Sequence, residues 1–454
     1  MAMQIHRYVI EDRRPVPPFN EPASQLTIGL NPLKIHHEEM FAALFPQGLV
    51  LRNSLRSRDE IARISEAAIV YRDNLWFDAE FIGYFLDHAT QLNRACRAAF
   101  AADDPAFRTY TLPLTIDERS ADTQHPCTFE KTTDADGKPI YLIDLWYFPA
   151  GYTPDITPVV IPSEAREKGF YSVPDFMTME QGDLTHYLPM RGVVAIESWV
   201  HVYFASIIFG NFTRASRMDE YIATHNFYSI RLLLRAILEM KQVLSTSAVV
   251  RVGRGTVIHP TAVITGPAQI GENCNIGPGV MLDNCTIGDN VTIDDGCTLM
   301  MSTVADGCFL PFRAALYFTS VMENTIIAQN TCLQMCAVGR NSFIGAGSTF
   351  TDFNLMAQRP IKAANIKGEV HSVGQIVIGG GVGHNCRLGS GLVVYPGRMI
   401  ESDVVTVASP ERRVVMRNIT YEESDHHPYM VNGLEHRRFY PRDSEDAEVS
   451  DESW

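Results

Sequence analysis

From residue 252 to 300 an aliphatic side chain returns at nearly every sixth position: Val252, Ile258, Ile264, Ile270, Ile276, Leu282, then Ile287, Ile293 and Leu299. Neither a helix, with its 3.6-residue period, nor a strand, with its period of two, produces that spacing. A parallel β-helix does. Each hexad is one short strand and a turn, three hexads close one triangular coil, and the aliphatic residue points inward. The next residue is often Gly (Gly253, Gly271, Gly277, Gly288) and is expected to take positive φ at a corner. Two places before the aliphatic residue only small side chains occur: Ala262, Ala268, Cys274, Cys285 and Cys297.

The repeat returns with Ile327, Leu333, Val338, Ile344 and Phe350, and again with Ile376, Val382, Leu388, Val394 and Ile400. Steps of five at Leu282 to Ile287, Leu299 to Val304 and Leu333 to Val338 read as shortened corners. Between Phe350 and Ile376 the period fails, so 351–375 is expected to leave the prism as an external loop. A loop raised on a rigid scaffold is a natural place for function.

Before the prism no repeat is visible. Ile69-Val70-Tyr71 reads as a buried strand running into Arg72-Asp73-Asn74, and Ile140 to Phe148 as a second strand. Asp78 to Asn93 reads as a helix with Phe81, Phe85 and Leu92 on one side, and Val193 to Phe209 as a helix buried nearly all round. Residues 1–213 are therefore expected to form an α/β domain. A connecting helix over 214–248 follows, with Ile230, Leu233, Leu234, Ile237 and Leu244 on the face that covers the open end of the prism. The prism itself spans 249–410, and 411–454 supplies a second cap and a tail.

The hexads, for example Ile270-Gly271-Glu272-Asn273-Cys274-Asn275, resemble those of the left-handed β-helix transferases. Phe343-Ile344-Gly345-Ala346-Gly347-Ser348-Thr349-Phe350-Thr351-Asp352-Phe353-Asn354 is similar to the segment that opens the acceptor loop in bifunctional sugar-1-phosphate nucleotidyltransferase/amino-sugar acyltransferases, the N-acetylglucosamine-1-phosphate uridyltransferase type. Glu21 to Lys34 resembles the opening of a divergent branch of these nucleotidyltransferases, and Trp199 to Ser206 the helix closing that domain. The resemblance implies a left-handed β-helix, an acyl-CoA cofactor (acetyl-CoA first), an amino-sugar or sugar-nucleotide substrate and a homotrimer with CoA clefts between neighbours.

Two departures narrow that expectation. Active nucleotidyltransferases hold the triphosphate on a Gly-rich turn after the first strand, yet residues 1–60 contain only Gly29 and Gly48. Nucleotidyl transfer is therefore not expected. At the position where the resemblance places the catalytic His stands Gln329, which cannot take a proton near neutral pH. Two histidines remain as bases, His371 at the end of the loop and His384 in Gly383-His384-Asn385-Cys386, each weighed against being an exposed turn or loop residue. Gln329, Asp352 and Asn354 are the candidate acceptor contacts. Gly380, Gly381 and Gly383 are the candidates for letting a pantetheine arm approach the backbone.

Composition changes the picture at its margins. With 46% hydrophobic and 20% charged residues in 454, the chain has material for two cores. A net charge of -15 argues against nucleic acid or an anionic membrane as partner. The stretch Asp443 to Glu452, six acids and no base, is expected to be disordered. No signal peptide and no membrane span are read, and six of the nine cysteines (Cys274, Cys285, Cys297, Cys308, Cys336 and Cys386) are read as reduced turn residues, neither disulfides nor zinc ligands, which together place the protein in the cytoplasm. The pairs His36-His37 and His426-His427 are not read as metal sites, because adjacent side chains diverge. Arg72-Asp73 is either a solvated loop or a remnant ligand site. The leading function is CoA-dependent acyl transfer; the alternatives are a catalytically silent sugar-nucleotide-binding scaffold and an active nucleotidyltransferase.

Overall fold

The computed structural model describes residues 5–46, 52–116, 127–172, 184–354, 359–429 and 438–442. The acidic tail expected over 443–452 lies outside them. The chain divides into two compact units: Met1–Arg14, Pro22–Leu26 and Asn31–Glu197 form the first, and Pro15–Glu21, Thr27–Leu30 and Ser198–Trp454 the second. The division falls at Glu197 and not near 213, because the apolar run expected to be one helix is two elements. Val193–Ala195 is a strand paired with Leu75–Phe77 in the first unit. Helical structure begins only at Trp199, capped by the Ser198 hydroxyl, and belongs to the second unit.

The first unit is an α/β domain. Its main sheet contains β1 (His6–Ile10), β2 (Arg52–Leu55), β3 (Ala68–Arg72), β4 (Cys96–Ala101), β5 (Pro139–Phe148) and β6 (Thr157–Val160), in the order β6-β4-β5-β3-β1-β2. Strands β3 and β2 run parallel to β1, β6 runs parallel to β4, and β5 is antiparallel to both of its neighbours. Helices α1 (Leu33–Leu44) and α2 (Ala79–Leu92) lie in the same unit. Met40 and Phe41 of α1 and Phe81, Ile82, Phe85, Leu86 and Ala89 of α2 join the sheet residues Val9, Ile69, Tyr71 and Leu145 in one core. Asp78 caps α2 by accepting from Phe81 N at 2.8 Å, and Asn93 ends it in the left-handed region at φ 48°. Leu92, expected on the buried face, is instead half exposed.

The second unit is a left-handed β-helix of three eight-stranded parallel sheets. The inward aliphatics stack in register, as in Ile276 on Ile293 on Leu310 and Ile327 on Ile344 on Leu388. These side chains are fully buried, each worth roughly 1.5–3 kcal/mol against exposure. The corners depart from expectation in an informative way. Positive φ falls on Asn273, Asn284, Asn290, Asn324, Asn330, Asn341 and Asn385, whose short polar side chain tolerates that region, and on a different set of glycines, Gly255, Gly279, Gly296, Gly307, Gly347, Gly391 and Gly397. Gly253, Gly271, Gly277 and Gly288 do not have it. They are glycine because coils meet there: a Cβ on Gly271 would lie 2.4 Å from the Gly288 oxygen.

The insertion leaves the prism continuous, since Val338 pairs with Val382, and Phe350 with Val394. Ile376, counted above as an inward residue, is only half-buried and stands outside the stacked core, which resumes at Val382. Downstream, Val414–Val415 adds the last strand of the third face, so the segment expected as a cap first extends the prism.

The connecting helix, α3 (Asn226–Glu239), packs on the first coil, but by the opposite face from the one expected. Leu232 and Ala236 are buried, with Leu232 in a cluster with Val249, Val250 and Ala268, whereas Ile230, Leu233, Leu234 and Ile237 are exposed.

Candidate functional site

The loop between Phe350 and Val382 builds an antiparallel hairpin, Lys362–Ala364 against Val370–Ser372, with Ala363 opposite His371. His371 is more than half exposed, and its Nε2 lies 3.2 Å from Glu369 Oε2. Glu369 directly precedes the strand Val370–Ser372, and residues two apart in extended chain share a face, which sets the imidazole beside the carboxylate. Asn365 fixes the carboxylate's backbone by accepting from Glu369 N at 3.0 Å, and its amide reaches Glu369 Oε2 at 3.3 Å. The hydrogen bonds from His371 and then Asn365 hold the Glu369 carboxyl below its ordinary range. With Glu369 holding Nε2–H, Nδ1 is the ring's acceptor nitrogen.

His384 has the opposite character. The corner expected to expose it is covered, and the side chain is fully buried. Its Nδ1 accepts from Arg340 N at 3.0 Å, and its Nε2 faces Glu21 Oε2 at 3.3 Å. Glu21 is held by Arg340 Nη1, which donates to both carboxylate oxygens at 2.9 and 3.0 Å. The Phe19 and Tyr440 rings lie 5.1 and 4.7 Å from the imidazole. Burial pushes the His384 pKa down, with Glu21 pulling the other way. With Arg340 N on Nδ1, the Glu21 carboxylate beside Nε2 and the ring fully buried, neither nitrogen is open to an attacking amine or hydroxyl, so in this structure His384 cannot serve as a base.

The glycine run also serves a different purpose from the one expected. The surface at Gly380, Gly381 and Gly383 is indeed approached closely, but by the chain itself. A Cβ on Gly381 would lie 2.6 Å from Trp199 Cγ, and one on Gly383 would lie 2.3 Å from Ser402 N and 2.6 Å from the Pro18 oxygen. All three glycines are buried. A pantetheine arm does not fit against this run. The same face is covered further along its length by Asn211, which donates to Thr303 Oγ1 at 3.0 Å and accepts from Thr286 Oγ1 at 2.7 Å. Small outward residues, Thr286, Thr303, Ser320, Ala337 and Gly381, let that helical segment lie close.

Of the remaining candidates, Gln329 is half-buried at a corner, where its carbonyl accepts from Gly347 N at 3.0 Å. Asp352 stands at the root of the loop, its pKa raised by burial. Its carbonyl accepts from Ile378 N where the loop returns, so the two ends of the insertion meet there. Asn354 is half-buried two residues on. His371 and His384 are not brought into one constellation: the first meets Glu369, the second Glu21, Arg340, Phe19 and Tyr440.

In the first unit, Arg72-Asp73 is not a solvated loop: Asp73 is buried and Arg72 is ion-paired to Asp144. Asp144 accepts from Arg58 at 2.8 Å, Arg72 at 2.7 Å and Arg97 at 3.1 Å. Arg14 pairs with Asp12 and, at 2.9 Å, with Glu197. Asp73 accepts from Asp12 N at 2.7 Å, and burial, with the nearby Asp12 charge, raises its pKa to about 6. These side chains follow the carboxyl ends of β1 and β3, where open α/β sheets commonly bind ligands. Here the space is a cavity of about 10 Å³ lined by Arg14, Arg72, Asn74, Thr128, Asp144 and Glu197. That is less than the roughly 300–1,000 Å³ of ligand pockets. Among the described residues no group of His, Cys, Asp and Glu is arranged to hold a metal ion. No described helix is long and apolar enough to cross a membrane.

The class is set by the prism: a left-handed β-helix carrying transferase hexapeptide repeats. Residues 250–284 and 267–300 match the family described as bacterial transferase hexapeptide (six repeats). Among solved structures, the chain is similar to LpxA from Acinetobacter baumannii, with 17% identity over 36% of this chain and 60% of that one, and a TM-score of 0.24. It is also similar to a point mutant of perosamine N-acetyltransferase from Caulobacter crescentus in complex with CoA and GDP-perosamine, with 18% identity over 34% of this chain and 54% of that one, and a TM-score of 0.14. Each match spans less than two thirds of the solved chain. No curated protein matches.

Proposed function

We propose that this protein is a hexapeptide-repeat acyltransferase that moves an acyl group, acetyl first, from CoA to an amino sugar or sugar nucleotide, as a cytoplasmic homotrimer. The observation that carries the proposal is the exposed Glu369–His371 pair on a hairpin raised from an otherwise unbroken transferase-type prism. A carboxylate that orients one ring nitrogen and leaves the other as acceptor is what a general base needs to take a proton from an attacking amine or hydroxyl. Asp352 and Asn354, at the root of that hairpin, are the acceptor's proposed polar contacts, with Gln329 on the neighbouring coil. The donor's site is not the glycine run, which Trp199 and Pro18 fill. An outward row on the second face, Phe309, Ile326 and Phe343, is partly exposed in ladder register and supports threefold packing through that face.

A second reading, a silent scaffold that binds a sugar nucleotide or a partner, draws support from the covered glycine run and the ion-paired strand ends of the first unit. A thermal-shift panel of acyl-CoAs and nucleotide sugars separates the two. A ligand at a hundred times its Kd stabilises by about 2.7 kcal/mol. Acyl transfer requires a shift from an acyl-CoA; a shift from nucleotide sugars alone favours the scaffold.

A further inference from the structure

Helix α3 carries an apolar seam that is exposed among the described residues. Phe227, Ile230, Leu234 and Ile237 fall at alternating steps of three and four, and Leu233, Leu238 and Met240 flank them. All seven are more than half exposed, with Phe227 at 84% and Leu238 at 83%. The helix is already anchored by the other side, through Leu232 and Ala236, so its own fold does not require these residues.

We propose that this seam is an isologous interface, α3 of one copy packed lengthwise on α3 of a second copy of the chain. Three observations select that occupant. The spacing is a two-heptad a/d pattern over the 14 residues of α3, the repeat by which helices pack on one another. The line Phe227-Ile230-Leu234-Ile237 holds no charged side chain, so the surface is complementary to itself, as a twofold contact demands. The neighbouring acid, Glu239, is turned back on its own chain, paired with Arg235 at 2.8 Å and accepting from Ser247 N at 2.9 Å. The size agrees as well. Seven such side chains offer on the order of 800 Å² of apolar surface, matching the ~800 Å² per partner of a standard interface and exceeding the ~300–600 Å² patch of an ordinary monomer.

The interface is distinct from the proposed prism trimer and is tested whether or not that trimer exists, because its signature is a factor of two. The full-length protein and a Leu234→Glu/Ile237→Glu variant are compared by light scattering over a dilution series from tens of micromolar to tens of nanomolar. The wild type is expected to show twice the mass of the variant at high concentration and to fall to the variant's mass on dilution. Circular dichroism of the variant is expected to match the wild type, since Leu232 and Ala236 still seat the helix. The milder Leu234→Ala is expected to shift the midpoint of the dilution curve to higher concentration, a readout that does not depend on the charged variant folding. Equal masses for wild type and variants at every concentration overturn the proposal. So does wild-type protein at the lower mass that co-sediments with neutral phospholipid vesicles while the Glu variant does not, which assigns the seam to a lipid surface.

Discussion

Placing an alanine at Gly381 tests whether the glycine run is a seat for Trp199. The new Cβ would stand 2.6 Å from Trp199 Cγ and 2.9 Å from Cδ1 and Cδ2, well inside van der Waals contact, and Trp199 is fully buried. Overpacking of this kind costs about 1–3 kcal/mol. At roughly 2–4 °C per kcal/mol for a unit of this size, Gly381→Ala should lower the melting temperature by a few degrees up to about 12 °C. Trp199→Ala alone should cost ~3–5 kcal/mol, since it empties a packed indole site. In the double variant the methyl enters vacated space, so Gly381→Ala should then cost only a few tenths of a kcal/mol. The coupling of about 1–3 kcal/mol exceeds the ~0.5 kcal/mol within which distant sites add. Urea denaturation of the four proteins, following the transition of the second unit, measures it. Additivity within ~0.5 kcal/mol would refute the steric argument. A Gly381→Ala protein of unchanged stability but weakened acyl-CoA binding would restore the glycine run as a cofactor site.

Three other expectations follow from the buried charges. Asp144→Asn leaves Arg58, Arg72 and Arg97 around a neutral group, and should destabilise the first unit by ~3–5 kcal/mol in urea titration, far more than an exposed pair would. His384 has a folded pKa below its ordinary 6.5, so the unfolded chain binds the extra proton. Its contribution is fully present above pH 6.5 and lost as pH falls below it, so His384→Gln should flatten the stability of the second unit as pH falls below about 6.5. The first unit should release no pyrophosphate above background from a nucleoside triphosphate and a sugar-1-phosphate, because no Gly turn follows β1 and ion pairs occupy the space beyond the strand ends.

The prism was legible because its signal is local and periodic: one inward residue per hexad and small residues such as Cys274 and Cys297 two places earlier. The same periodicity misassigned the glycines. Sequence shows a small residue at a corner but not whether positive φ or the approach of the next coil demands it, and at Gly271 the approach decides. For α3, both faces are apolar, so composition alone could not say whether Leu232 or Leu233 meets the prism. The surroundings of His384 were not legible because they come from Phe19, Glu21, Arg340 and Tyr440, hundreds of residues apart for the most part, with no periodic trace. By contrast, the Glu369–His371 pair carried a readable signal, two polar residues two positions apart at the start of a strand.

The most direct test of the account is acyl transfer itself, followed as thiol release from acetyl-CoA with a panel of amino sugars and nucleotide sugars, in wild type and His371→Ala. A positioned base contributes about 10²–10⁴ in rate, so the account predicts measurable transfer by the wild type and a loss of that order in kcat, with KM little changed, for His371→Ala. Wild-type kcat in His371→Ala, or no thiol release with any acceptor, would contradict it.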